Sequence, residues 1–183
     1  MYRNLYTRYL TKMRGKSGHG ETLLPRSAWQ SFAGAFIAVC LLAWLCEMLG
    51  SYARLMLVGS FGATAAMIFG VPASSYAQPR NVLGGHLLAA LCGVIAFRLA
   101  GSVPWLACGL AVAVAVYLMH KTSTFHPPGG ATALIAVIGD TRIHELGFVY
   151  VLMPIGLGIL FLVLLGVLIN NVFLGRRYPL HWW

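Results

Sequence analysis

The sequence predicts an all-α integral membrane protein: four full transmembrane helices plus two short broken or re-entrant helical segments in a two-fold internal repeat. Three observations carry that prediction. The chain is 59% hydrophobic and only 9% charged, with a mean hydropathy of +0.78, whereas a soluble domain carries roughly 25% charged residues. Four apolar stretches are long enough to cross a bilayer, which takes roughly 20 residues. Two further apolar stretches are shorter or interrupted, and both contain the same four letters: Gly62, Ala63, Thr64, Ala65 and Gly130, Ala131, Thr132, Ala133.

Residues 1–26 read as a basic tail. Within it Tyr2, Leu5, Tyr6, Tyr9, Leu10 and Met13 recur at helical spacing, with Arg3, Arg8, Lys12 and Arg14 mostly between them. That pattern suits a short interfacial helix, apolar face toward lipid and basic face toward anionic headgroups; a disordered basic tail is the alternative. The first span covers residues 27–49, the second 81–97 and the third 103–119, the last two joined by a tight hairpin. The fourth covers 146–174, long enough to tilt. The short stretches are 55–71, broken by Gly59 and Gly62, and 129–139. Each follows a long helix and precedes another, so the repeat halves fall at 27–99 and 102–174 of a membrane domain 27–175. Residues 176–183 read as a cytoplasmic tail.

The net charge of +9 does not point to nucleic acid, because the basic residues crowd the two ends. Arg3, Arg8, Lys12, Arg14, Lys16 and Arg26 precede the first span, and Arg176 and Arg177 follow the last. Flanking lysine and arginine hold a segment on the cytoplasmic side, so a multi-pass protein of the inner (plasma) membrane with both termini inside is expected. If the short segments cross, ten of the 13 basic residues are inside: six N-terminal, Arg80, Lys121, Arg176 and Arg177. If they re-enter, nine are inside: six N-terminal, Arg98, Arg176 and Arg177. Crossing makes the halves inverted and re-entry makes them parallel; the charges leave both open. The four cysteines fall in apolar runs without metal-ligand spacing and read as packing residues.

The interruptions carry the chemistry. Pro127 and Pro128 cannot donate helix hydrogen bonds, and Gly129 and Gly130 reach backbone shapes closed to other residues. Irregular backbone at membrane depth is tolerated only where protein buries it or water lines it. A helix beginning near Gly129 offers free N–H groups and the positive end of its dipole to an anion, with His126 beside it and the Thr132 hydroxyl within. Ser60, Gly62 and Thr64 surround the first break in the same way. Gln78, Arg80, Asn81 and His86 add polar and cationic groups at the mouth of the second span. The alternatives stay open residue by residue: Pro127 and Pro128 as a structural turn, Arg80 as a headgroup anchor, His86 as a donor to a neighbouring helix. Glu47 carries protons, pairs with Arg54 or reaches the interface. No triad, acidic pair or His-Glu-x-x-His pattern suggests an enzyme, and no metal or other cofactor is expected.

The stretches 78–86 (QPRNVLGGH) and 126–134 (HPPGGATAL), with 59–65 (GSFGATA), resemble the HPP family of integral membrane proteins. The resemblance runs from about residue 25 to 171 and leaves out the basic tail. It implies a four-helix membrane protein, and some members resemble plastid and cyanobacterial nitrite transporters. The expected function is a transporter or channel for small inorganic anions, nitrite first among them. The alternative is a membrane scaffold or sensor without flux, recruiting a partner or lipid through its tail. Membrane lipids and further copies of the chain are the other expected partners, because so few helices hardly enclose a pathway alone.

Overall fold

A computed structural model of the chain describes residues 25–48 and 59–182. Residues 1–24 with their expected interfacial helix, and Arg54, lie outside the described residues. The described chain is all-helical: α1 (Pro25–Met48), α2 (Gly59–Gly70), a 3-10 turn (Ser75–Ala77), α3 (Pro79–Ala100), α4 (Pro104–Lys121), α5 (Pro128–Ile138) and α6 (Thr141–Leu146). A last span, Val151–Phe173, contains α7 (Leu157–Leu168) between two π-helical turns. Four of these segments are long and apolar enough to cross a membrane, and α2 and α5 are the two short apolar helices.

Proline starts α3, α4 and α5, where its missing N–H matters least and its fixed φ suits the first turn. The Asp140 side chain caps α6 by accepting from the Ile143 N–H at 3.2 Å. Its carboxylate also accepts from Arg142 at 2.6 Å, and that guanidinium holds the carboxyl below its usual range. The expected fourth span of 146–174 is shortened at its start. Gly147, at φ +51°, ends α6, and the membrane helix begins at Val151.

Close backbone approaches give each helix its direction. A Cβ on Gly85 would lie 2.9 Å from the Thr124 carbonyl oxygen, and one on Gly129 would lie 3.0 Å from the Gly85 carbonyl oxygen. Farther along, a Cβ on Gly93 would lie 2.5 Å from the Ala133 carbonyl oxygen. Helix α5 therefore starts beside the first third of α3 and runs in the same direction. It ends where the His144 ring stacks on Phe97 at 3.8 Å and Arg98 lies over the Phe148 ring. Helix α2 runs the opposite way, from Ser60 beside Thr132 (2.8 Å) to Phe69, whose carbonyl accepts from Arg176 at 2.7 Å.

These directions decide between crossing and re-entry. Helix α4 brings the chain back to the face where α3 began, and residues 122–138 carry it across again. Helix α1 starts at that same face, where the Gln30 amide donates to the Leu174 carbonyl at 2.8 Å. It is about 36 Å long at 1.5 Å per residue, and α2 ends back at the face where α1 began, beside Arg176. The short helices thus each fill half a crossing, in opposite senses, as inverted halves require. The first and last described segments lie on one face.

Packing follows residue size. Ala107, Ala111 and Ala115 of α4 are fully buried, letting α3, α4 and α5 approach closely. The second core joins α1, α2, α3 and the last span through Leu42, Phe61, Ile68, Val82, Ile159 and Leu162. The Gly62, Ala66 and Gly70 ladder behaves differently: Gly62 and Ala66 face outward. The expected C-terminal tail is part of the fold. Arg176 donates to Phe69 and Ser27 carbonyls, the Tyr178 hydroxyl donates to Ala77, and the Leu180 N–H donates to Gln78 Oε1. All four cysteines are free.

Gly93→Ala should lower the midpoint of thermal unfolding in detergent although alanine is the better helix former. Its methyl group must displace a backbone carbonyl, at about 1–3 kcal/mol for overpacking. Gly109→Ala, where no described atom lies within 4 Å of the new methyl group, should hold or raise that midpoint. Size-exclusion detection after heating measures both.

Candidate functional site

Five side chains that the sequence singles out meet at the centre of the molecule. Ser60, Thr64, His86, His126 and Thr132 are all fully buried. The two matching threonines, one from each Gly-Ala-Thr-Ala stretch, hold the two ring nitrogens of His86. Thr64 Oγ1 lies 2.8 Å from Nε2, and Thr132 Oγ1 lies 2.7 Å from Nδ1. Thr64 Oγ1 is also 2.9 Å from His126 Nε2, and His126 Nδ1 is 2.7 Å from the Tyr76 carbonyl oxygen. Ser60 Oγ closes the other end, 2.8 Å from Thr132 Oγ1. The result is one continuous chain of hydrogen bonds from Ser60 to Tyr76.

Each member is placed by a different element. Helix α2 presents Ser60 and Thr64 one turn apart, and Thr64 also reaches the Ser60 carbonyl at 3.0 Å. Helix α3 presents His86, with the Phe61 ring edge-on to it at 5.6 Å. Gly85, without a side chain, lets the segment carrying His126 lie against α3; a Cβ there would meet that of His126 at 2.6 Å. The two imidazole centroids are therefore only 4.9 Å apart. Tyr150 supports the far side, its hydroxyl donating to the Thr132 carbonyl at 3.2 Å.

The other expected site residues do different work. The Gly129 and Gly130 N–H groups donate to the His126 and Pro127 carbonyls at 2.9 and 3.0 Å. They close a turn there and are not free for an anion, because the two prolines fold the backbone tightly enough to bring those carbonyls within reach. Pro127 and Pro128 form the start of α5. Gly62 is exposed, away from the histidines. Gln78 is buried but bonded to Pro72, Ser74 and Leu180 backbone groups, and Asn81 donates to the Phe125 carbonyl. Both tie loops together. Arg80 donates to the Thr122 carbonyl at 3.0 Å and sits at the membrane face, not beside His86.

Sequence reasoning missed Tyr76 and Tyr150, and also a second cation. Two cavities lie on either side of the histidine pair. One of about 280 Å³ is lined by Pro79, Arg80, Leu83, Gly84, Leu87, Thr124 and Trp182. A smaller one of about 90 Å³ lies near the other face and includes Phe97, Arg98, His144 and Gly147. Arg80 and Arg98 stand 18 residues apart on α3, about 27 Å at 1.5 Å per residue, close to the thickness of a hydrocarbon core. Neither lining includes a member of the central network. Among the described residues no three His, Cys, Asp or Glu side chains gather as a metal site.

A family model described as the HPP transmembrane region matches residues 21–179. The chain belongs to the HPP family. Two transmembrane proteins of Dictyostelium discoideum are similar to it: one is 44% identical over 70% of this chain and 46% of that protein. The other is 37% identical over 97% of this chain and 58% of that protein. The chain thus spans about half the length of these relatives. No solved structure matches. The His-Pro-Pro of the HPP family stands here as His126, Pro127 and Pro128. The histidine enters the central network, and the prolines form the turn that delivers it.

Thr64→Val keeps the shape of the side chain but leaves two buried ring nitrogens without their partner. It should destabilise the protein by about 1–3 kcal/mol per unsatisfied group, seen as a lower thermal midpoint. Thr64→Ser, which keeps the hydroxyl, should lose less than half as much.

Proposed function

We propose that this HPP protein transports small inorganic anions, nitrite first among them, through a path that leads from the Arg80 cavity past His86 and His126 to the Arg98 cavity. One observation carries the reading: two short helices of opposite direction bring their N-terminal halves together on a buried histidine pair between two arginine-bearing cavities. Cations such as Arg80 and Arg98 favour negative charge. An intramembrane ionisable group is a functional site by default. Thr64 Oγ1 occupies the point on which both Nε2 atoms converge, and an anion would take that place once the threonine rotates away. The described conformation is then a closed one, with the network as its barrier.

The reading includes a location in the inner membrane with both ends of the chain cytoplasmic, and contact with lipid along α1, where Trp29, Phe32, Phe36 and Trp44 are exposed. It also includes assembly of identical copies, supported by the outward-facing Gly62 and Ala66.

Purified protein in liposomes should pass nitrite faster than empty liposomes, with nitrate, formate and chloride as comparisons. Arg80→Gln and Arg98→Gln should each reduce the rate about tenfold, the loss of one charge-assisted contact of ~1.4 kcal/mol. If all four anions enter no faster than in empty liposomes, the reading falls. The non-transporting scaffold or sensor, recruiting a partner or lipid through the basic tail, then takes its place.

A further inference from the structure

Building on the transport reading, we infer that the histidine pair takes up a proton as co-substrate, so that one proton and one monovalent anion move together. The hydrogens along the network can be counted. The Tyr76 carbonyl can only accept, so His126 Nδ1, 2.7 Å away, carries a hydrogen, an assignment made from its partner. In a neutral ring Nε2 is then an acceptor, and the Thr64 hydroxyl must donate to it. A hydroxyl has one hydrogen, so His86 Nε2 must donate to Thr64. His86 Nδ1 becomes the acceptor, and Thr132 donates to it in place of Ser60. With both rings neutral, each contact from Thr132 to Tyr76 holds one hydrogen.

A second complete pattern exists with one more proton. Placed on His126 Nε2, the proton makes that nitrogen a donor to Thr64, and the Thr64 hydroxyl turns to His86 Nε2. His86 changes tautomer and donates from Nδ1 to Thr132, which donates to Ser60. Every bond between Thr132 and His126 has reversed and Thr132 now makes its bond to Ser60, while in both patterns the Thr64 hydrogen turns from the Ser60 carbonyl to a ring. The two patterns differ by one proton and no heavy-atom movement. The proton comes from solution and enters at Thr132 Oγ1, from which one hydrogen hop along each bond carries it through His86 and Thr64 to His126 Nε2 and reverses the bonds on its way. No bond within the anion forms or breaks.

The surroundings make the anion obligatory. Ser60, Phe61 and Thr64 face the rings from α2, Thr132 from α5 and the Tyr76 carbonyl from the 3-10 turn. The buried face of α4 is Ala107, Ala111, Ala115 and Met119, and from the chain just before the last span Tyr150 reaches only the Thr132 carbonyl. Among the described residues none of the bonds to the rings comes from a carboxylate, so the charged pattern has no counter-charge there. A lone buried cation is strongly disfavoured. A monovalent anion beside His126 supplies the missing charge, and by linkage each ligand raises the affinity for the other.

Two measurements test this. In wild-type liposomes, nitrite uptake above that of empty liposomes should be indifferent to a voltage set by potassium and valinomycin. A pH gradient should drive about tenfold accumulation per unit. An uncompensated anion would instead shift about fiftyfold per 100 mV. In weakly buffered detergent solution, adding nitrite or nitrate should withdraw about one proton per protein, and His126→Gln, judged folded by size exclusion, should withdraw none. Voltage-driven uptake without proton withdrawal would overturn the inference and leave the transport reading standing. Proton withdrawal without flux would keep the linkage and overturn transport. Neither flux nor withdrawal would sink both.

Discussion

An imidazole at the centre of a membrane helix must find partners within the protein, and the placement of His86 follows from that demand. Both of its ring nitrogens are buried, and an unsatisfied polar group in such surroundings costs about 1–3 kcal/mol. Its two partners, Thr64 and Thr132, lie 68 residues apart in the chain and arrive on helices of opposite direction. Neither short helix can be lengthened into a full span without displacing the other, because their N-terminal halves meet on the same ring. The broken crossings, the glycines that admit them and the arrangement of the halves are consequences of serving one side chain from two directions.

Glycine makes the meeting sterically feasible. Gly85 and Gly93 lie eight residues apart on α3, a little over two turns along the helix. The first receives the segment carrying His126 and the second receives α5 itself. A third close approach, Gly34 against the Phe69 ring, seats α1 on α2. Small residues thus do in this chain what the hydrophobic effect cannot do in lipid. They bring backbones close enough for dispersion and polar contacts to hold the helices together.

Much of this was legible beforehand. Composition declared a membrane protein, and the repeated Gly-Ala-Thr-Ala marked both short helices and the two threonines that clamp His86. His126 stood out through its prolines. The pairing of His86 with His126 was not legible, since 40 residues and a helical hairpin separate them and only the docking at Gly85 brings them together. The amides of Gly129 and Gly130 were misread because a proline-rich turn closes on itself, a property of dihedral angles and not of composition. Gln78 and Asn81 look like ligands in one dimension; in three they serve backbone carbonyls of nearby loops. Charge counting separated crossing from re-entry by a single residue, too little to decide what packing then decided.

Arg176 joins the outer ends of α1 and α2 and gives α2 the character of a piston on a stop. Its guanidinium grips the Phe69 carbonyl at 2.7 Å and the Ser27 carbonyl at 2.8 Å, while Ser60 and Thr64 sit nearer the other end of the same rod. Sliding α2 by one residue's rise, about 1.5 Å, stretches the grip past any hydrogen bond. Axial travel is therefore arrested at the membrane face, and Thr64 is left to move by rotation about its own side-chain bond.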